Sequence, residues 1–207
     1  MSERGRFITL EGIEGVGKST NLAFVEAYLR ARGRSVRVTR EPGGTPLAER
    51  IRALVLDHGE EPLPALTELL LIFAARSAHL DNLIRPALAA GQWVVCDRFT
   101  DATFAYQGGG RGLDADIIEQ LAAYAHGDLW PDLTLLLDAP VDVGHRRRSQ
   151  RGPADRIEAE GEAFFARVRQ AYLDRRGRAP ERIKLVDATS PLEQVQQAIR
   201  GHLDQLL

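Results

Sequence analysis

The sequence predicts an α/β protein in which a five-stranded parallel sheet is flanked by helices. Three observations carry that expectation. Five short, β-rich apolar runs alternate with longer segments of helical pattern, the order produced when parallel strands are joined by helical crossovers. The runs are continuous and do not alternate with polar residues, so both faces of the sheet should be covered. A glycine-rich turn directly follows the first run, at the carboxyl edge where such sheets bind ligands.

The strands are expected at Phe7–Glu11, Ser35–Thr39, Trp93–Cys96, Leu133–Leu137 and Ile183–Val186. Helical patterns run from about Ser19 to Arg32, Pro46 to Leu56, Ala65 to Ala90, Asp114 to Ala125, Val141 to Gln150, Gly161 to Arg176 and Pro191 to Leu206. Several stop at a glycine, as at Gly33 and Gly91, where a left-handed residue can close the last turn. No repeat, low-complexity tract or linker interrupts the pattern, so residues 1–207 are expected to form one domain.

The chain has 207 residues, 44% hydrophobic and 27% charged, as in an ordinary globule with a sizeable core. A formal charge of -2 argues against a dedicated nucleic-acid binder, which would be basic. Cys96 is the only cysteine, so no internal disulfide can form. The N-terminus has no apolar signal core, and no run approaches the roughly 20 apolar residues of a membrane span. These features predict a cytoplasmic protein without membrane or nucleic-acid partners. Lys18 and Lys184 are the only lysines among many arginines, and Lys18 stands inside the glycine-rich turn.

That turn, Gly12-x-x-x-x-Gly17-Lys18-Ser19, matches the P-loop pattern at every fixed position, which places the chain among the P-loop NTPases. Gly12, Gly15 and Gly17 free backbone N–H groups to turn toward phosphate oxygens. The helix that starts near Ser19 and Thr20 adds its positive end. Lys18 is expected at the β- and γ-phosphates of ATP, and the Ser19 hydroxyl on Mg²⁺. Asp97, at the end of an apolar strand, is the expected acidic partner of the metal. Arg98 beside it offers a planar donor fork for an acceptor phosphate. A glycine-rich turn alone does not separate GTPases, motor ATPases and small-molecule kinases.

Three further stretches narrow the choice: Arg40-Glu41-Pro42-Gly43-Gly44-Thr45, then Arg76-x-x-His79, then Asp97-Arg98-Phe99-x-x-Ala102-x-x-Ala105-Tyr106-Gln107-Gly108. Together they resemble the thymidylate kinase family, from about residue 6 to about residue 205. The resemblance implies a nucleoside monophosphate kinase-like fold, ATP as co-substrate, Mg²⁺, transfer of a phosphoryl group to dTMP, and a homodimer built partly on the helix from Ala65 to Ala90. It implies that Arg76 bonds the thymine carbonyl, that Gln107 reads the pyrimidine edge with Thr103 beside it, and that Tyr106 lies against the deoxyribose. Glu14 would approach the sugar 3′-hydroxyl, and Glu41, Pro42 and Arg52 would border the acceptor. Two departures are visible. Ala102 replaces a family serine, and the position four before Arg76, often a stacking phenylalanine, is Ile72, with Phe73 one residue on. Either Ile72 or Phe73 could cover the base.

The arginine-rich run from His145 to Glu158 is expected to be an inserted lid, at about residues 145–158. None of the variable P-loop positions, Ile13, Glu14, Gly15 and Val16, is basic, so the lid should supply the cation that neutralises the transferring group, as in bacterial-type family members. The order of expectation is Arg151, then Arg156, then Arg147, with Arg156 alternatively pairing with Asp155 or Glu158. Asp187, after the last strand, resembles the start of the loop that packs on adenine. The five histidines have no metal-ligand spacing.

Overall fold

The computed structural model describes residues 4–149 and 154–207. Five strands, β1 (Phe7–Glu11), β2 (Val36–Arg40), β3 (Trp93–Asp97), β4 (Leu133–Asp138) and β5 (Ile183–Asp187), form one parallel sheet in the order β2-β3-β1-β4-β5. Leu10 pairs with Asp97 and Asp138 with Asp187, so the strands end together at one carboxyl edge. Asp97, Asp138 and Asp187 are the last residues of their strands, one beyond the expected ends.

Helices cover both faces. Ile8, Leu10 and Val95 point into one apolar layer with α1 (Lys18–Arg30), α8 (Glu162–Arg178) and α9 (Leu192–Asp204). Phe7, Val94 and Cys96 point into the other, with Leu80, Ile84 and Leu88. A third cluster joins Leu69 and Phe73 to Phe104, Ile118 and Ala122 of α6 (Ala115–His126). The crossover from β2 to β3 also contains α2 (Pro46–Leu56), capped by the Thr45 hydroxyl at 3.3 Å from the Ala48 N–H.

Two elements differ from expectation. The single helix from Ala65 to Ala90 is α3 (Ala65–His79), a π-helical stretch Leu80–Ile84 and α4 (Arg85–Ala89). Pro86 has no N–H for a regular helical bond, and its ring crowds the preceding turn, which the wider π stretch accommodates. The segment after β3, not expected to be helical, is α5 (Thr100–Thr103) running into a π-helical stretch Phe104–Gly110. Gly109 and Gly110 lie against α8, where added Cβ atoms would come within 2.6 Å of Ala171 Cβ and 2.5 Å of Phe164. Packing on α8 thus holds a glycine run that would not be helical alone.

The P-loop turns out of β1 with Gly12, Gly15 and Gly17 all at positive φ. Gly15 sits so close to α7 (Val141–Arg148) that a Cβ there would be 2.0 Å from the Gly144 carbonyl oxygen. The phosphate loop is therefore braced by the helix that leads into the arginine-rich run.

Candidate active site

A cleft of about 300 Å³ opens at the carboxyl edge of the sheet. At one end Gly15, Gly17, Lys18, Ser19 and Asp97 line it. The Lys18 ammonium donates to the Gly12 carbonyl at 3.1 Å and the Ile13 carbonyl at 2.9 Å. Burial and the nearby Arg98 cation lower its pKa to about 8. Ser19 and Thr20 are exposed in the first turn of α1. Asp97 Oδ1 is buried and has no hydrogen-bond partner among the described residues.

The middle of the cleft is organised around Arg98, the only described non-glycine residue at positive φ, 71°. Such a backbone costs of order 1 kcal/mol and persists only where the surroundings fix it. Arg98 N–H donates to the Leu10 carbonyl at 3.0 Å, and the next N–H, of Phe99, donates to Glu11 Oε1 at 2.7 Å. The guanidinium donates to Glu14 Oε1 and to the Tyr106 hydroxyl oxygen, each at 2.7 Å, and Tyr106 itself donates to Glu14. Burial disfavours this cation, yet Tyr106 and Glu14 raise its pKa well above the ordinary arginine value.

At the far end Arg76, 2% exposed, donates Nε to Glu41 Oε2 at 2.7 Å and Nη2 to Thr103 Oγ1 at 2.9 Å. Its Nη1 is buried and unpartnered among the described residues. His79 Nδ1 lies 3.0 Å from the other Glu41 oxygen and its Nε2 lies 2.7 Å from Thr39 Oγ1. Burial raises the Glu41 pKa, but Arg76 and His79 more than reverse this, and the carboxyl ends below its usual value. Pro42, Ile72, Thr103 and Gln107 complete this end, and Arg52 Nη1 donates to the Pro42 carbonyl at 2.9 Å.

Six expected site residues are not part of the cleft wall: Gly12, Thr20, Phe73, Arg147, Arg156 and Asp187. Phe73 is packed in the Leu69–Phe104–Ile118 cluster, because one residue along a helix is about 100° of rotation from Ile72, which lines the cleft. Arg147 donates to the Ala188 carbonyl at 2.9 Å, tying α7 to the loop after β5. Arg156 pairs with neither Asp155 nor Glu158; it donates to the Val55 carbonyl at 2.9 Å and to Glu68 Oε2 at 2.6 Å. Asp187 is exposed and accepts from Thr189 and Ser190, folding its own turn. Gly12 contributes through its carbonyl, bonded by Lys18 and Arg98. Arg151 lies outside the described residues.

The whole chain has close relatives. The thymidylate kinase family model matches residues 10–199. The chain belongs to the thymidylate kinase family. It is 59% identical over 203 residues to thymidylate kinase of Pseudomonas entomophila, covering 98% of this chain and 97% of that one. It is 60% identical over 195 residues to thymidylate kinase of Pseudomonas putida strain GB-1, covering 94% and 93%. The crystal structure of thymidylate kinase from Ehrlichia chaffeensis superposes with a TM-score of 0.80 at 32% identity, covering 97% of this chain and 99% of that one.

The family pattern did not point to Arg148, which lines the cleft and donates to Glu158 Oε2 at 2.6 Å. Its signal was present: Arg148 stands four residues after Gly144, and that spacing puts it on the α7 face that meets the P-loop. Asp155, Ile157 and Glu158 also line the cleft, so the described part of the arginine-rich run forms part of one wall. Ala102, at the family serine position, lines the cleft as well and offers a methyl group there.

Proposed function

We infer that this cleft transfers the γ-phosphoryl group of ATP to dTMP, giving dTDP and ADP. The family supports the reaction, and one observation carries the assignment of the ends. The Lys18 loop follows β1 and Glu41, which Arg76 bonds, follows β2, with Arg98 after β3 between those strands, so Lys18 and the unpartnered Arg76 Nη1 stand toward opposite sides of one cleft. An oxygen of the dTMP phosphate attacks the γ-phosphorus. The bond from that phosphorus to the β–γ bridging oxygen breaks, and its electron pair leaves with ADP. The attacking oxygen is already anionic, so the chain's task is positioning and charge neutralisation.

Lys18 and the backbone N–H groups of Gly15 and Gly17 hold the donor phosphates. Arg98 grips the acceptor phosphate, held ready by Glu14 and Tyr106 before substrate arrives. Arg52 supplies a second cation nearby, and Ile72 covers the base. Tyr106 leaves little room for a 2′-hydroxyl. Ser19 and Asp97 fit Mg²⁺, since an unpartnered buried carboxylate oxygen and an exposed hydroxyl lining the same cleft are hard oxygen ligands. The ion neutralises charge on the transferring phosphates when bound. Arg151 remains the first choice for the lid cation, with Arg148 beside the same cleft.

We further propose that the protein is a homodimer located in the cytoplasm. The exposed row Leu66, Leu70 and Ala74 along α3 supports the dimer. No helix among the described residues is long and apolar enough to cross a membrane.

Coupled ADP release with Mg·ATP against dTMP, dUMP, dCMP, dGMP, AMP and thymidine tests the reading. Turnover with dTMP, alone or with weaker dUMP, is expected. Preference for another acceptor removes the roles given to Arg76 and Gln107. Slow hydrolysis indifferent to every acceptor points instead to a nucleotide switch.

A further inference from the structure

We propose that Glu68, which does not line the cleft, is the positioning residue that fixes the selection of thymine over cytosine by orienting the Gln107 amide. The proposal rests on the dTMP reading above and deepens it.

Glu68 lies on α3 eight residues before Arg76 and four before Ile72, so all three share one helix face. It is 1% exposed, yet its carboxylate accepts four hydrogen bonds or ion contacts. Gln107 Nε2 donates to Oε1 at 2.7 Å and Arg156 Nη2 to Oε2 at 2.6 Å. Arg111 reaches Oε1 with Nε and Oε2 with Nη2, both at 3.3 Å. Burial would push this carboxyl up, but the Gln107 amide and the two guanidinia hold it below its usual pKa. An ionised carboxylate accepts hydrogen bonds and donates none.

That fact settles the orientation of Gln107. A glutamine amide is nearly symmetric in shape, and only its partners decide which end carries NH₂. Turning it over would set the carbonyl oxygen against the Glu68 carboxylate, losing a charge-assisted bond and adding repulsion. Gln107, itself 2% exposed and lining the cleft, therefore commits NH₂ to Glu68. Its carbonyl oxygen takes no hydrogen bond among the described residues and is left for the ligand.

The base end thus presents the acceptor Gln107 Oε1 and the donor Arg76 Nη1. Thymine presents the complement on one edge: N3–H donates and O4 accepts. Cytosine presents the reverse, an acceptor at N3 and an amino donor at C4, so both pairings fail. A site built to hydrogen-bond one pattern rejects the other because its own polar groups are left unpaired. Uracil shares the thymine edge and is not separated by this device.

The test compares Glu68→Gln with the wild-type chain on dTMP, dUMP and dCMP, by coupled ADP release. A glutamine at 68 can present either oxygen or NH₂, so Gln107 is no longer held one way round. We expect the dTMP:dCMP ratio of kcat/KM to fall by about tenfold, the loss of one oriented hydrogen bond, through a higher KM for dTMP. The dTMP:dUMP ratio and the KM for ATP should stay near wild type, and Glu68→Asp should keep the wild-type dTMP:dCMP ratio. Should Glu68→Gln not fold because Arg156 is left unpaired, the double variant E68Q/R156M carries the same test. A dTMP:dCMP ratio within twofold of wild type, whatever the loss of activity, overturns the proposal. If the wild-type chain itself does not prefer dTMP to dCMP, the reading of the site fails first and the proposal with it.

Discussion

The Lys18 ammonium rests on two loop carbonyls, and its pKa of about 8 makes its charge conditional near physiological pH. Phosphate anions favour the charged form, so ATP binding takes up a proton wherever free Lys18 has lost one. The KM for ATP is therefore expected to rise as pH climbs through about 8, approaching roughly tenfold per pH unit beyond it. A KM flat from about pH 7 to 9.5 rejects this. Glu11, one residue before the loop, is raised from 4.5 to about 8 by burial and the Asp101 charge. Its protonated form is favoured by folding, so its contribution to stability is full below the unfolded value of 4.5 and is lost as pH rises through about 8. Glu11→Gln keeps a neutral group that can accept from Phe99 N–H and donate to Tyr172. Its melting temperature relative to wild type should rise by several degrees between pH 5 and pH 8; a constant difference refutes the assignment. At this scale the sequence was most legible where backbone chemistry dictates side-chain use. Gly12 to Ser19 follow β1 directly, and Asp97 ends β3 with Arg98 next to it, positions that the apolar runs before them made readable. Arg147 and Arg156 were not legible, because a run of arginines does not show which guanidinium a distant carbonyl or carboxylate will claim.

At the scale of elements, α3 and the π-helical stretch Phe104–Gly110 build together the end of the cleft proposed to hold the base. Glu68, Ile72 and Arg76 come from one, Tyr106 and Gln107 from the other, joined by the Glu68–Gln107 and Arg76–Thr103 bonds. The stretch Phe104–Gly110 was hidden in the sequence because Gly108, Gly109 and Gly110 weaken any local helical preference. What holds it is α8, and the glycines are the surface of contact. A Cβ on Gly110 would lie 2.5 Å from Phe164 and 3.0 Å from Val168. Gly110→Ala should therefore cost about 1–3 kcal/mol by overpacking and raise the KM for dTMP, because Tyr106 and Gln107 lie one turn away. Gly177→Ala, near the end of α8 with nothing within 4 Å of the added Cβ, is the control and should be neutral or stabilising. Equal melting temperatures for the two variants would show that α8 does not hold the stretch.

At the scale of the molecule, the sheet order brings β1 and β3 side by side, so the P-loop and the Asp97-Arg98 pair, 80 residues apart in sequence, meet at one edge. Strand–helix alternation made that architecture readable, since right-handed parallel crossovers leave few other arrangements. Partnering is a different matter, decided by what the outer surface leaves uncovered. Along α3, Glu68, Ile72 and Arg76 face the site, while Leu66 and Leu70 on another face are each 50% exposed and Ala74 continues the row. Leucines four residues apart, followed by a small residue, form a ridge that another helix can meet closely. A second copy of the same helix is the proposed occupant, because a two-fold contact makes one such ridge self-complementary. In that arrangement the helix that carries Arg76, the arginine proposed to read the base, is also the one buffered by its partner, so losing the contact should loosen the proposed acceptor end before the donor end. Leu70→Glu places a charge at the centre of the row. It should convert a dimeric mass in solution to a monomeric one and raise the KM for dTMP more than the KM for ATP. A wild-type protein that is monomeric at micromolar concentration, or a Leu70→Glu variant that stays dimeric, places the contact elsewhere.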